Sequence, residues 1–91
     1  MTVYVDDAFV EGDWGKWNGG GHLQADTPDE LHAFAARLGL KRTWFQPRPT
    51  RPERAHYDVT GSKRDEAIYL GAIPEAVEDG TVRRLAARER S

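Results

Sequence analysis

Histidine and aspartate are the residue types of this chain whose spacing points most directly to chemistry. The sequence has only 3 histidines in 91 residues, and one of them, His56, stands two residues before Asp58. In an extended segment this spacing puts both side chains on one face. Imidazole and carboxylate groups together bind zinc, manganese or iron, or act as a general acid/base pair. On sequence alone these uses stay open beside a third, in which the side chains only hydrogen-bond to one another.

Two aspartates, Asp6 and Asp7, directly follow residues 2–5, a β-branched and aromatic segment typical of a strand. Ligands of open α/β sheets gather outside the carboxyl ends of strands, so acidic side chains there are candidate metal ligands or bases. Because neighbouring strand residues point to opposite faces, we expect only one of the two to face a site. The alternative is a solvated strand end at which an aspartate caps the turn.

His32 lies on a predicted helix, about 100° around the helix axis from Leu31. This angle places it at the border of the apolar stripe, and therefore at the rim of the sheet. We expect it to approach the strand ends from the helix. The predicted catalytic polar centre consists of Asp6, His32, His56 and Asp58. The ligands predicted for a divalent metal cofactor are Asp6, His56 and Asp58.

Residues 60–64 open a second predicted helix with the two bases Lys63 and Arg64. The helix dipole disfavours cations in the first turn, and an anion bound to the free N–H groups would compensate for them. One interpretation is a phosphate-binding site, whose ligands would be Thr60, Ser62, Lys63 and Arg64. The other is ordinary capping by Thr60, with acidic residues 65 and 66 offsetting the bases.

Basic residues alternate with Trp44, Phe45 and three prolines between positions 41 and 54. A basic loop of this kind can hold a nucleic-acid backbone while an aromatic ring stacks on a base, which makes Trp44 a candidate ligand-binding residue. In the alternative, the two aromatic side chains belong to the core and the arginines are solvated.

A helix over residues 28–38 is the best-defined element in the sequence. Thr27 suits the N-cap, Pro28 suits the first helical position, and Gly39 can end the helix in a left-handed conformation. The apolar stripe of this helix consists of Leu31, Phe34, Ala35 and Leu38.

The remaining elements are shorter. We predict strands over residues 2–5, 22–25 and 43–45, a helix between Thr60 and Gly71, an edge strand at 72–73 and a last helix capped by Thr81. Residues 12–21 are too rich in glycine for a helix or strand interior. Strands that alternate with helices predict an α/β fold, with a small, mostly parallel sheet covered by about three helices. We expect a single domain over residues 1–91.

Charge is segregated along the chain, although the net charge is only −2. Residues 1–30 contain seven acidic residues against one lysine, and residues 31–64 contain eight basic residues against two acidic ones. The two blocks either face each other in the fold or leave a basic surface for a phosphate-bearing partner. Cysteine is absent, which excludes disulfides and thiolate zinc sites. No apolar run approaches the roughly 20 residues of a membrane span, and we expect a cytoplasmic protein.

Several short motifs together resemble one known family. They are TVYVDD from Thr2, ELHAFA from Glu30, Trp44-Phe45, His56-Tyr57-Asp58, Ala67-Ile68 and Gly71-Ala72. The family comprises short bacterial and phage proteins catalogued as a domain of unknown function. The resemblance covers nearly the whole chain and implies no activity, cofactor or site residue. Residues 12–21 and the proline-rich loop look peculiar to this member.

These observations predict a small protein that binds a phosphate-containing ligand through the Asp/His polar centre, and that hydrolyses or transfers it. The rival is a non-catalytic interaction module that binds protein or nucleic acid through the basic proline-rich loop and Trp44. A structural accessory subunit is a third interpretation. The positions of the histidines distinguish the first two, because a site requires them to converge. Whether the protein is an enzyme, and in which oligomeric state, is left open by the sequence.

Overall fold

Short strands and three α-helices make up the computed structural model, which describes residues 2–90 and their side chains through Ala87. The elements are β1 (Val3–Val5), β2 (Gly21–Ala25), α1 (Pro28–Arg37), β3 (Tyr57–Val59), α2 (Gly61–Tyr69), β4 (Ile73–Pro74) and α3 (Val77–Arg90). Single 3-10 turns lie at Gly15–Trp17, Arg42–Trp44 and Pro52–Arg54. None of the helices in the described part of the chain has the length and apolar character that crossing a bilayer requires.

The sheet has the strand order β3-β2-β1-β4 and is mixed. Only β1 and β4 pair in parallel, whereas β1–β2 and β2–β3 are antiparallel. The α/β class is confirmed, but the prediction of a mostly parallel sheet is wrong. The reason lies in the connections. Residues 6–20 return the chain from β1 to β2 without an α-helix, and the long segment after α1 reverses the direction again before β3.

Helix α1 follows the sequence prediction closely. The Thr27 hydroxyl oxygen accepts the Glu30 backbone N–H at 3.2 Å, and Pro28 occupies the first turn. The helix ends where Gly39 takes a φ of +77°. The predicted apolar stripe, which is Leu31, Phe34, Ala35 and Leu38, is buried in the core. The core therefore lies between this helix and one face of the sheet.

The register of the sheet separates two kinds of side chain. Val5 pairs with Leu23 and Leu23 with Tyr57, so these buried side chains share the face that packs against α1 and α2. His22 pairs with Asp58, and their side chains point to the opposite face. The helix α3 covers part of that second face, because the Arg83 guanidinium lies 3.6 Å from the centre of the Tyr4 ring. One face of the sheet therefore packs against the core, and the other face presents polar side chains such as His22 and Asp58.

The predictions of a strand at residues 43–45 and of a last helix capped by Thr81 are wrong. Residues 43–45 form no strand, since Trp44 and Phe45 donate their N–H groups to the nearby carbonyls of Lys41 and Arg42. These residues therefore form hydrogen bonds within a local turn and not with a neighbouring strand. The Trp44 side chain is half exposed. The last helix starts at Val77, and Thr81 is an interior residue whose hydroxyl donates to the Val77 carbonyl at 3.1 Å.

Candidate metal centre

Four polar side chains meet on the second face of the sheet. They are Asp6 just after β1, His22 in β2, and His56 and Asp58 at β3. The two imidazole rings are in edge contact, with their centres 4.6 Å apart. Asp6, His56 and Asp58 were predicted to converge here, and the register of β1, β2 and β3 brings them within reach of His22.

Each prospective metal ligand has one polar atom held by the protein. The Nδ1 atom of His22 lies 2.9 Å from the Asp6 carboxylate, and the Nδ1 atom of His56 donates to the Arg54 carbonyl at 2.9 Å. The Oδ2 atom of Asp58 accepts the amide N–H of Gln46 at 2.7 Å. These contacts fix the rings so that both Nε2 atoms carry a lone pair in the neutral form.

The other three polar atoms face one another. One ligand atom each from His22, His56 and Asp58 lies within 4.8 Å of the other two. Asp58 Oδ1 is 3.6 Å from His22 Nε2 and 3.4 Å from His56 Nε2. In a tetrahedral site with bonds of about 2.0 Å, the ligand atoms are about 3.3 Å apart. The spacing therefore suits a shared cation better than the direct hydrogen bonds of about 2.9 Å that an imidazole donates.

The Oδ1 atom of Asp58 is buried and has no hydrogen-bond partner among the described residues. Leaving a buried carboxylate oxygen unsatisfied is costly. A water molecule or a cation would complete the bonding of such an atom. Two imidazoles and one carboxylate are a donor set that zinc, manganese and iron accept.

Asp6 is held more firmly than any other residue of this group. Its carboxylate also accepts the backbone N–H groups of His22 at 2.7 Å and Ala8 at 3.1 Å. Gly21 makes this approach possible, because a Cβ there would lie 2.1 Å from the Asp6 carbonyl oxygen. The absence of a side chain at Gly21 is therefore a steric requirement of the site.

The protonation of the cluster follows from these contacts. Burial raises the pKa of Asp6, but its hydrogen bonds with the His22 ring and backbone outweigh burial and lower it. The hydrogen bond to Asp6 raises the pKa of His22 although burial opposes it. Burial lowers the pKa of His56, against the bond to the Arg54 carbonyl. The pair is thus asymmetric, with His22 the more basic imidazole.

A cavity of about 390 Å³ opens onto these side chains. Three arginines line it, namely Arg48, Arg54 and Arg84. The Arg84 guanidinium is half-buried and hydrogen-bonds to two neutral oxygens, those of Gln24 and Thr81. Burial lowers the pKa of Arg84, and the nearby Arg83 adds to this effect. The cavity therefore combines a potential cation site with positive side chains.

His32 is not part of this cluster. Its Nδ1 atom lies 2.8 Å from the hydroxyl of Tyr57, and its ring packs edge-on against Phe45. Tyr57 points to the core face, whereas its neighbours His56 and Asp58 point to the other. The helix that carries His32 covers the core face, so His32 and the cluster are on opposite sides of the sheet.

The residues predicted to bind phosphate at the start of α2 do not line the cavity of the cluster. Thr60 caps the helix by accepting the Lys63 N–H at 3.4 Å, and its hydroxyl lies 3.3 Å from that of Ser62. Lys63 Nζ donates to the Leu38 carbonyl at 2.7 Å, and Arg64 Nε donates to the Asp6 carbonyl at 2.8 Å. Both bases thus hydrogen-bond to backbone oxygens. Trp44 lies at the surface, half exposed.

Sequence reasoning missed His22, Gln46 and Arg84. A signal existed for His22, since alternation along β2 separates it from the buried Leu23 in the way that His56 is separated from Tyr57. Gln46 and Arg84 carried no such signal. Gln46 reaches Asp58 through one isolated bridge between its backbone and that of His56, and Arg84 arrives from a helix that is distant in sequence.

The comparisons with known proteins give a family and no activity. No curated protein and no solved structure matches the chain. The family described as "Protein of unknown function (DUF4031)" matches residues 3–88. This range includes every residue of the cluster and of its cavity, and we conclude that the chain belongs to the DUF4031 family of proteins of unknown function.

Proposed function

We propose that this protein binds a divalent transition metal through His22, His56 and Asp58, and that the metal centre binds and hydrolyses a phosphate-containing ligand. The observation that carries the proposal is the set of three converging ligand atoms, one of them the buried Oδ1 of Asp58, which has no hydrogen-bond partner among the described residues. Three protein ligands leave coordination positions open for water and substrate, as in catalytic metal sites.

The surrounding contacts support the metal further. Histidine ligands of metals usually donate their second ring nitrogen to a carboxylate or a backbone carbonyl. His22 has the first kind of partner in Asp6, and His56 has the second in the Arg54 carbonyl. Gln46 holds the remaining oxygen of Asp58. The protein therefore supplies both the ligands and the groups that orient them.

The ligand chemistry follows from the cavity. Guanidinium groups bind phosphate through charge and paired N–H donors. Of the three arginines that line the cavity, Arg84 is best placed for this, because it is half-buried and its hydrogen bonds are to neutral oxygens, whereas Arg48 and Arg54 are exposed. A phosphate could then bind the metal with one oxygen and Arg84 with another.

The reaction that suits this arrangement is hydrolysis of a phosphoester. A divalent metal held by His22, His56 and Asp58 would supply an activated water as the nucleophile for attack on phosphorus. In such a hydrolysis the bond between phosphorus and the leaving oxygen would break, and the leaving oxygen would take a proton from solvent. Arg84 would stabilise the charge on the phosphoryl oxygens.

Metal binding is tested first. We expect protein purified without a histidine tag to contain near-stoichiometric metal, or to bind zinc or manganese in calorimetric titrations after chelation. His22→Ala, His56→Ala and Asp58→Asn should each lose this binding. His32→Ala is the matched control, since it removes a histidine from the other side of the sheet. A wild-type protein that carries no metal and binds neither ion would contradict the proposal.

Phosphoester hydrolysis is tested second. Metal-loaded protein should cleave a nitrophenyl phosphomonoester or phosphodiester, and His56→Ala should abolish turnover. Arg84→Gln should weaken the binding of inorganic phosphate, whereas Arg37→Gln, an exposed arginine of α1 on the core side, should not. Metal binding without turnover of either ester would reduce the function to metal-dependent phosphate binding.

A further inference from the structure

A second cavity, of about 450 Å³, lies on the other side of Asp58 and has a different lining. Its walls include two tryptophans, an aliphatic side chain and three polar residues, which are Trp17, Trp44, Leu40, Lys16, Thr60 and Lys63. Two tryptophans line this second cavity, whereas three arginines and no tryptophan are among the described residues that line the cavity at the metal centre. The second cavity therefore suits a flat, apolar group with polar edges.

The two cavities share a wall. Gln46 and Asp58 line both of them, and the hydrogen bond between these side chains forms the boundary. A ligand with a phosphate at the metal centre can therefore extend past this pair into the second cavity. The ligand class must combine a phosphate at one end with a flat ring system at the other.

Positive charge accompanies both tryptophans. Lys16 Nζ lies 5.0 Å from the Trp17 ring centre, and Lys41 Nζ lies 5.6 Å from that of Trp44. The exposed fraction of Trp44 is 50%, which is high for so large an apolar ring. Aromatic rings beside lysines are the usual means of binding a nucleobase and the phosphates attached to it.

We infer that the ligand is a nucleoside phosphate, whose base stacks in the cavity at Trp44 and Trp17 while its phosphate lies at the His22, His56 and Asp58 centre. The inference rests on the proposed function for the position of the phosphate. The base can belong to a free nucleotide or to the end of a single strand, because both present the same chemistry.

The test compares ligands that share the phosphate and differ in the base. Zinc-loaded protein is titrated with adenosine 5′-monophosphate, ribose 5-phosphate and a short oligothymidylate. We expect the nucleotide to bind about 5- to 150-fold more tightly than ribose 5-phosphate, which is the range of base–aromatic stacking. Tighter binding of the oligonucleotide than of the mononucleotide identifies a strand as the source, and the reverse identifies a free nucleotide. Equal binding of adenosine 5′-monophosphate and ribose 5-phosphate would overturn the inference.

Matched tryptophan variants locate the base. Trp44→Leu should remove the preference for the nucleotide, whereas Trp14→Leu should keep it, since Trp14 is 47% exposed but does not line this cavity. Both side chains are at the surface, and circular dichroism verifies that the variants fold. A preference that survives Trp44→Leu would overturn the placement of the base.

The two proposals fail in different ways. If zinc binds but the base adds nothing, only the nucleoside inference fails. If zinc does not bind and the nucleotide still binds in a Trp44-dependent way in the presence of a chelator, the metal centre and the placement of the phosphate there fail, and the base site stands. Calorimetry with zinc alone and with the nucleotide alone separates these results.

Discussion

At the scale of the residue, the protonation form of one imidazole decides whether the centre can hold a metal. Asp6 accepts three hydrogen bonds, two of them from backbone N–H groups through Oδ1 and one from the His22 ring through Oδ2. The ring must therefore carry its proton on Nδ1, and the lone pair of Nε2 is directed at Asp58. The carboxylate acts on the metal through the histidine, and makes that histidine a stronger ligand.

Replacement of Asp6 by Asn should reverse this tautomer. The Asn oxygen would keep the two backbone N–H groups, and its amide would donate to His22 Nδ1, which leaves the proton on Nε2. We expect zinc affinity to fall by about 10- to 100-fold in calorimetric titrations of Asp6→Asn.

The control for this change is the neighbouring Asp7→Asn. Asp7 accepts the Val77 N–H at 3.2 Å, and the Asn oxygen can do the same. The zinc affinity of Asp7→Asn should equal that of the wild type. An unchanged affinity in Asp6→Asn would show that His22 is not a ligand.

Three of the four residues predicted for the polar centre, Asp6, His56 and Asp58, do meet in space, and His32 does not. The spacing of His56 and Asp58 was informative because a strand alternates its faces. His32 could not be placed from its helical angle alone. A residue at the border of an apolar stripe still lies on the side of the sheet that its helix covers, and only the sheet register shows which side holds the site.

At the scale of the element, the approach of β2 to β1 sets the geometry of the centre. Gly21 faces Asp6 with no room for a side chain, since a Cβ there would also lie 2.6 Å from the Asp6 carboxylate oxygen. The glycines that predicted a loop at residues 12–21 have a second role at their end, where the strand begins.

Gly21→Ala should therefore damage both the fold and the site. Overpacking of this kind costs about 1–3 kcal/mol, and we expect a loss of that size in the free energy of unfolding. Zinc binding should weaken as well, because Asp6 and His22 would be pushed apart. Chemical denaturation and zinc titration of the same sample measure the two effects. If Gly21→Ala has the same free energy of unfolding as the wild type, β1 and β2 can move apart at this point at little cost.

Helix α1 is the element that the sequence defined best, and its last turn makes contacts that the sequence did not indicate. Leu38 is 1% exposed in the core, while its carbonyl accepts the Lys63 ammonium at 2.7 Å. The apolar stripe was predictable from local spacing. The lysine contact was not, because it joins two helices that are separated by the proline-rich segment.

Leu38→Ala should lower the free energy of unfolding by about 2–5 kcal/mol, the usual cost of truncating a buried leucine. Leu85→Ala is the matched control, since Leu85 is 50% exposed on α3 and should change stability by less than about 0.5 kcal/mol. Thermal and urea unfolding of both variants measure the difference. Equal midpoints for the two would contradict the assignment of the core.

At the scale of the whole molecule, the sheet divides two tasks between its faces. The core lies on the side of α1 and α2, and the candidate centre lies on the side that α3 partly covers. The segregated charges meet on this second side, where Asp6 of the acidic block shares a cavity with Arg48 and Arg54 of the basic block. The sequence could not predict that the acidic and basic blocks meet in one cavity, because this depends on the order and the directions of the strands in the sheet.

This division predicts that core stability and metal binding are separable. Zinc at a free concentration 100-fold above its dissociation constant should raise the free energy of unfolding by about 2.7 kcal/mol. Leu38→Ala should begin from a lower stability and gain the same increment from zinc. His56→Ala should gain none.

The double variant of Leu38→Ala and His56→Ala should show both losses and no zinc increment, because the two sites lie on opposite faces of the sheet. Urea unfolding with and without zinc gives all eight values. Phe34→Leu, a smaller change in the same buried stripe, replaces Leu38→Ala if that variant unfolds. A zinc increment that falls with the core truncation would mean that the centre depends on the packing beneath the sheet. The two faces would then form one cooperative unit.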